Sequence, residues 1–423
     1  MKARLISISI LFLFASTAKA QSIMRLDSIF RQIEKQNPRL KMSDATVRSM
    51  DEMAKGAYNW EAPELGTGLW MVPYNPSLWK KGMNGSNGMG QYALSAQQML
   101  PNKKKQNAEY NYLEAASSVE KENKKATLND LFAQAKTNYF EWQMDMKKDA
   151  VLVQNEKLLT FMIKDTEIRY KNGLDKLSAY YKAQAALGNI QNMRIMLVSE
   201  IQQKRTALNT LMNRSGQLDF QIDTLQLLSD YSVIAVDTSK LASSRSDVKA
   251  IERNIQLTQL KQNMERSKLK PEFGVRYEHM FGFGGLPMQY TLMGMVKIPM
   301  SWSTKAQKAT IESLKWEAES LNQQKQSLIN ESSGMAYSLK NEIAQKKKQI
   351  SLFEINIIPA LRRNYQTMQI AYQQNTEELF MLYDAWETLN MMQLEYLEQV
   401  KQALLMQIEL ERIVEISQSP TDK

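Results

Sequence analysis

The side chains most often used for catalysis and metal binding are scarce in this chain. The sequence has one histidine (His279) and no cysteine, which excludes disulfide bonds, thiolate metal sites and cysteine nucleophiles. It contains no glycine-rich phosphate-binding loop. Methionine is frequent, at 27 residues, and thioether clusters can bind Cu(I), but methionine is also an adaptable packing residue. The sequence therefore predicts no catalytic residue, no metal site and no cofactor.

Two groups of residues with the same spacing indicate a structural repeat instead. The first is Tyr170, Gly173, Leu177, Tyr181 and Ala183, and the second is Tyr372, Asn375, Leu379, Tyr383 and Ala385. Glycine tolerates the left-handed backbone that ends a helix, and asparagine is the next best residue there. Each group is therefore predicted to form a turn between two helices. The leucines beside each turn are expected to be exposed for a partner, and a simple helix-ending turn is the alternative.

The elements around these turns are predicted to be very long helices. Residues 102–172 contain neither proline nor glycine, which predicts a helix of about 105 Å. A similar helix is predicted over 304–374, with return helices over 174–213 and 376–415. Helices of this length imply a coiled-coil assembly. Pro359 is expected to bend the second long helix.

A pair of strands is predicted before each long helix, at about 63–100 and about 271–299. Phe273, Val275 and Tyr277 alternate with Gly274, Arg276 and Glu278, so one face is apolar and the other polar. Such a sheet could face lipid on one side and a water-filled lumen on the other, or belong to a soluble protein with one wet face. In a membrane, four strands cannot close a barrel, and open edges are not tolerated in lipid. Several chains would then have to share one barrel.

The chain begins with a predicted secretory signal peptide, residues 1–20, in which Lys2 and Arg4 precede an apolar run and Ala18-Lys19-Ala20 forms the cleavage site. Its removal lowers the formal net charge from +9 to +6, a mild excess that does not predict nucleic-acid binding. The predicted organisation is a first structural repeat over 21–213, opening with a helix at 24–61, and a connector (equatorial region) over 214–245. A second repeat over 246–415 and a C-terminal tail over 416–423 follow.

Several short motifs together resemble the TolC-like outer-membrane efflux protein family, over nearly all of the chain after residue 20. Tyr170-Lys171-Asn172-Gly173 is similar to the family's Tyr-x-x-Gly signature, and Tyr372-Gln373-Gln374-Asn375 is similar with Asn in place of Gly. Ala62-Pro63-Glu64-Leu65 and Lys270-Pro271-Glu272-Phe273 resemble its strand starts. The methionine content and Gln97-Gln98-Met99-Leu100-Pro101 faintly resemble its heavy-metal (cation) efflux branch.

The resemblance implies an α+β membrane protein with an internal two-fold repeat. It would be a homotrimer whose outer-membrane β-barrel has twelve strands, four from each subunit, continuous with a long α-helical coiled-coil barrel in the periplasm of a Gram-negative cell. The implied partners are outer-membrane lipid, a periplasmic adaptor (membrane fusion) protein and an inner-membrane transporter of the RND or ABC type.

The resemblance also assigns candidate site residues. The adaptor-docking tips would comprise Tyr170, Gly173, Leu174, Leu177, Tyr372, Asn375, Thr376 and Leu379. The gate candidates are Asp384, Glu377 and Met381. In a trimer Asp384 would form an acidic ring that favours cations, unless it is a simple solvated carboxylate.

The leading functional hypothesis is a passive exit duct of a tripartite efflux or secretion system. The alternative is a soluble periplasmic coiled-coil scaffold or adaptor, and an enzyme is a poor third. The sequence does not distinguish a metal ion, a drug or a protein as the exported substrate.

Overall fold

A computed structural model of the single chain describes residues 23–173, 176–223 and 238–415. The predicted signal peptide, the tail 416–423 and part of the predicted connector lie outside the described residues. The first half contains β1 (Ile23–Met24), α1 (Leu26–Gln36), α2 (Pro38–Lys55), β2 (Glu64–Trp70), β3 (Gln91–Met99), α3 (Lys103–Lys171), α4 (Leu177–Leu211) and β4 (Gln221–Ile222). The second half contains α5 (Thr238–Ser244), α6 (Ser246–Ser267), β5 (Glu272–Gly282), β6 (Gln289–Lys297), α7 (Lys305–Leu352), a π-helical turn (Phe353–Ile357), α8 (Ile358–Gln373) and α9 (Leu379–Val414).

The chain divides into two compact units, each built from both halves of the sequence. The helical unit takes the described residues of Met1–Lys41, Lys125–Arg245 and Asn330–Lys423. The strand unit takes Met42–Lys124 and Ser246–Ile329. Among the described residues, no helix is both long and apolar enough to cross a bilayer.

The strand unit contains a four-stranded antiparallel sheet with the order β2-β3-β5-β6. Its register aligns Leu65, Ala96, Tyr277 and Leu292 across the four strands. Because side chains alternate between faces, every strand contributes apolar residues to the same face. The other face is mainly polar and includes Gln97, Arg276, Glu278, Thr291 and Lys297. The predicted alternation is therefore present in all four strands.

The apolar face of this sheet is exposed in the single chain. Leu65 is 81% exposed, Tyr290 72% and Leu292 67%. Contiguous apolar surface of this kind usually marks a contact with membrane or protein. A soluble sheet would instead bury its apolar face against its own chain.

The helical unit is held by a core beside its first helix. Ile29, Phe30 and Ile33 are fully or almost fully buried, and the Phe30 ring stacks on Phe132 with 4.4 Å between ring centroids. A short parallel pairing of β1 with β4 lies in the same unit. This pairing was not predicted, because strands of two residues leave no periodic signal.

The expected single helix over 24–61 is interrupted at Asn37. The buried Asn37 side chain accepts a hydrogen bond from the Arg39 amide (2.9 Å) and donates one to the Leu211 carbonyl (2.8 Å). Pro38 then begins the next helix, a position where its missing N–H costs nothing. The break is therefore built from a side-chain cap and a proline.

The two long helices differ. Lys103–Lys171 is continuous, whereas the second is interrupted by the π-helical turn Phe353–Ile357. Pro359 is the second residue of the helix that follows this turn. Proline cannot donate to the carbonyl four residues earlier and clashes with it, so a local change of helix type accommodates it.

Candidate functional site: the paired helix ends

The predicted turns are both helix ends closed by a left-handed residue. Gly173 has φ of 74° and Asn375 has φ of 60°. The Gly173 amide donates to the Tyr170 carbonyl (2.9 Å), and the Asn375 amide donates to the Tyr372 carbonyl (3.1 Å). The Thr376 amide also donates to the Ala371 carbonyl (3.0 Å), which completes a Schellman motif in the second turn. Equivalent sequence positions thus form equivalent backbone turns.

The two turns contact each other through residues that the sequence interpretation missed. The Arg169 guanidinium lies 4.5 Å from the centroid of the Tyr372 ring, and it donates a hydrogen bond to the Asn375 side chain. After the first turn, Lys176 pairs with Glu378 at 3.2 Å, although both side chains are largely exposed. No motif in the sequence marks Arg169 or Lys176, because their partners lie about 200 residues away.

The docking candidates of the two repeats are buried to different extents. Tyr170 is 44% exposed and Leu177 40%, whereas Tyr372 is 4% and Leu379 2% exposed. The expectation of an exposed leucine beside each turn is therefore wrong for Leu379. Leu379 and Tyr372 belong to a core cluster with Leu159, Met162 and Trp386, because the second turn packs against the first long helix. Leu174 lies outside the described residues, and Thr376 is exposed.

The gate candidates lie at the start of the second return helix. Asp384, Glu377 and Met381 are all exposed. Within the described part of the chain, neither carboxylate forms an ion pair or a side-chain hydrogen bond. The Lys182 ammonium group contacts aromatic rings of this helix instead, with Nζ 4.1 Å from the Phe380 ring centroid and 4.3 Å from that of Tyr383. The geometry leaves both carboxylates free to face an aqueous space.

A buried carboxylate that the sequence interpretation missed lies within the first long helix, before the turn at Gly173. Asp145 is 3% exposed and makes no hydrogen bond with the described residues. Burial, followed by the nearby Glu200 carboxylate, raises the pKa of Asp145 to about 6, against the opposing effect of Lys148, Lys401 and Lys204. All three lysines already pair with other carboxylates. Lys148 and Lys401 contact Glu398 at 2.8 and 2.7 Å, and Lys204 contacts Glu141.

Metal-binding residues do not gather in the part of the chain that the structure describes, where no group of three or more His, Asp or Glu side chains is placed to hold a metal ion. His279 lies on the apolar face of the sheet, with its ring 4.5 Å from that of Phe281. An imidazole among aromatic side chains is a packing contact.

Solved structures similar to this chain include outer-membrane channels. The chain matches the outer-membrane channel OprN with a TM-score of 0.75 at 14% sequence identity, covering 93% of this chain and 91% of that chain. It matches VceC from Vibrio cholerae with a TM-score of 0.71 at 14% identity, covering 92% and 95%. It matches the open state of the MtrE channel from Neisseria gonorrhoeae with a TM-score of 0.71 at 14% identity, covering 92% and 89%. At these identities the likeness establishes the fold.

One family model matches the sequence, over the first repeat. Residues 29–214 match the model of the outer membrane efflux protein family. No functionally curated protein matches the chain at a significant level. The resemblance to the TolC-like outer-membrane efflux protein family is thus confirmed, by sequence over residues 29–214 and by fold over most of the chain.

Proposed function

We propose that this protein is the outer-membrane exit duct of a tripartite efflux or secretion system. It conducts substrates passively from an inner-membrane transporter of the RND or ABC type and a periplasmic adaptor protein to the outside. The observation that carries the proposal is the four-stranded sheet with one exposed apolar face. Strand alternation of this kind matches a lipid-facing wall with a polar lumen.

Closure of this wall requires further copies of the chain. The outer edges of β2 and β6 are unpaired in the described chain, and unpaired strand edges cannot face lipid. Three copies joined edge to edge would give the twelve-stranded barrel of a homotrimer. Exposed apolar side chains on the helices, including Ile195 (70%), Val198 (65%) and Ile355 (70%), would then be covered by neighbouring copies.

The paired helix ends are the proposed docking and closing end of the duct. A Cβ atom added to the Gly173 backbone would have no neighbouring atom within 4 Å, so the first turn is open to a partner. Tyr170, Leu177, Asn375 and Thr376 are the docking residues that remain accessible. Asp384 and Glu377 are the gate candidates, and in a trimer each would appear three times around the channel axis.

Cross-linking between edge strands tests this architecture, and the natural absence of cysteine makes it direct. Thr67→Cys in β2 would be combined, one at a time, with Tyr290→Cys, Leu292→Cys or Val296→Cys in β6. We expect at least one combination to give dimers and trimers on non-reducing gels of outer-membrane fractions. In the control, Ala96→Cys with Tyr277→Cys, the two residues are opposite each other on neighbouring strands of one chain, so this pair should give monomers only.

Cell fractionation separates the proposal from its alternative. An exit duct requires detergent for extraction and migrates as a heat-modifiable oligomer. A soluble monomer in the periplasm would instead support the coiled-coil scaffold or adaptor. Loss of export in a strain that lacks this chain, restored by the wild-type sequence, would test the transport role itself.

A further inference from the structure

One end of the four-stranded sheet carries exposed tryptophans and lysines that the transport role does not use. In the antiparallel register, Glu64 lies opposite Gln97, and Glu272 lies opposite Lys297. The start of β2, the end of β3, the start of β5 and the end of β6 are therefore at the same end. The flanking segments there supply Trp60, Lys103, Lys104, Lys270, Trp302 and Lys305, which together we call the collar.

The collar presents apolar rings and cations to the surroundings. Trp60 is 59% exposed and Trp302 is 77% exposed, and all four collar lysines are exposed. Tryptophan is the residue most typical of the boundary between hydrocarbon and water, because its ring is apolar and its N–H is polar. Two such residues at one end of an apolar sheet face indicate a bilayer surface.

The collar lysines are not paired within the described chain, although Glu61 and Glu272 lie beside Lys105 at the same end of the sheet. Lys105 and Lys297, which neighbour the collar, both pair with Glu272, at 2.8 and 3.5 Å. The four collar lysines form no ion pair or side-chain hydrogen bond with the described residues. A cluster of unpaired cations beside a membrane surface attracts anionic headgroups.

Lysines begin the long helix of both repeats, where their positive charge lowers the stability of the helix. Neither Lys103–Lys171 nor Lys305–Leu352 has an acidic residue in its first turn, and lysines lie there instead. Cations in the first turn oppose the helix dipole. A feature that costs helix stability in both repeats points to a partner that supplies the missing negative charge.

We propose that the collar binds anionic phospholipids of the periplasmic leaflet of the outer membrane. The inference rests on the proposed function, because only an inserted sheet brings this end to a bilayer surface. Lipid A in the outer leaflet also carries phosphate groups. The long helices begin at the collar end of the sheet, and in the proposed duct these helices extend into the periplasm, so the collar would face the periplasmic leaflet. The lysine stems would lie along the acyl boundary while the ammonium groups contact the headgroups.

Lipid retention by the full-length protein tests the proposal. The wild type, the variant K103Q/K104Q/K270Q/K305Q and the control K80Q/K81Q would be purified from membranes in a mild detergent. Lys80 and Lys81 are exposed in the loop that joins β2 to β3 at the opposite end of the sheet. Mass spectrometry of the extracted lipids should show phosphatidylglycerol and cardiolipin on the wild type and the control, and at least a three-fold loss from the collar variant.

A second measurement needs no variant. The wild type would be placed in nanodiscs of phosphatidylcholine with or without phosphatidylglycerol, at low and high salt. Phosphatidylglycerol should raise the thermal midpoint by several degrees at low salt, and the increase should disappear at high salt because headgroup attraction is screened.

Four results would overturn the proposal. Three are the absence of any effect of phosphatidylglycerol in the nanodiscs, equal anionic-lipid retention by the collar variant, and co-purification of lipid A alone. The fourth is an equal loss from K80Q/K81Q, which would show a general charge effect. Recovery of the wild type as a membrane-free protein is a separate result, which would defeat the proposed transport function itself.

Discussion

The Arg169 guanidinium lies 4.5 Å from the centroid of the Tyr372 ring, so the end of the first long helix is attached to the end of the second. The same guanidinium donates to the Asn375 side chain. Each contact joins one repeat to the other at the end that we propose closes the duct. Their removal should therefore affect opening more than folding.

Arg169→Ala should increase the time that the purified channel spends open in planar bilayers. A cation–π contact contributes roughly 0.5–2 kcal/mol, enough to change an open–closed ratio several-fold. Arg169→Lys should have an intermediate effect, because it keeps the charge but loses the planar donor geometry. The matched control is Lys171→Ala, since Lys171 pairs with Glu167 on its own helix. Identical open times of wild type and Arg169→Ala would contradict a closing role for this contact.

Gly173→Trp should abolish export while leaving the oligomer in the outer membrane. Nothing lies within 4 Å of a Cβ atom added at Gly173, so a bulky side chain would begin in the open space proposed for the docking partner, while the φ of 74° strains residues other than glycine and asparagine. Gly173→Asn is the control, because asparagine occupies the same backbone conformation at Asn375 and adds little bulk. Substrate accumulation assays and outer-membrane immunoblots measure the two effects. Normal export by Gly173→Trp would remove the docking assignment.

Leu379→Ala and Leu177→Ala, at equivalent repeat positions, should have different consequences. Leu379 is 2% exposed, so its truncation should cost about 2–5 kcal/mol of stability. Leu177 is 40% exposed, and its truncation should cost about 0.5 kcal/mol or less while weakening adaptor binding. Thermal unfolding of the two variants and adaptor cross-linking would separate the roles. Equal destabilisation would show that the second turn is not packed as described.

Asp384→Asn should reduce the preference of the channel for cations. An exposed carboxylate repeated around an axis raises the local cation concentration, and the amide removes that charge without changing the size of the side chain. Glu377→Gln in parallel identifies which candidate dominates. The measurement is the reversal potential across a salt gradient. If neither variant shifts it, both carboxylates are solvated groups outside the conducting path.

Asp145→Asn should stabilise the protein at neutral pH but not at acidic pH. The pKa of Asp145 is raised to about 6, so the folded state disfavours the ionised carboxylate. Wild-type stability is therefore lowest above pH 6, rises as pH falls through 6, and levels off below the ordinary pKa of an aspartate. A shift of this size corresponds to roughly 3 kcal/mol at pH 7.5. Thermal midpoints of wild type and variant should differ at pH 7.5 and converge near pH 4; a constant difference would contradict the linkage.

The strands and the helix ends could be predicted from the sequence, because both depend on local chemistry. Alternation in Phe273, Val275 and Tyr277 reports a two-residue period directly, and Gly173 and Asn375 are the residues that tolerate a left-handed turn. An irregularity at Pro359 could also be predicted, although not its form as a π-helical turn. Secondary structure could therefore be predicted wherever the type of a single residue restricts its own backbone conformation.

Burial at the site could not be predicted in the same way. Leu177 and Leu379 are equivalent in the repeat, yet only Leu379 is buried, because the first long helix packs over the second turn. Asp145 is one of many acidic residues on a long helix, and its burial depends on which residues of two return helices face it. Contacts such as Arg169 with Tyr372 join residues far apart in sequence, and a single sequence holds no signal for them.

The turn at Phe353–Ile357 has a consequence for how the second helix end is aimed. Each residue advances an α-helix by about 100° and 1.5 Å, whereas a π-helical turn takes about one residue more to complete the same rotation. Deleting a single residue from 353–357 would let the segment return to α-helix and leave the Tyr372–Asn375 end facing almost the same way, whereas the same deletion elsewhere in the helix would rotate that end by about 100°. The π-helical turn is thus a place where the second helix can gain or lose one residue while its tip keeps its orientation.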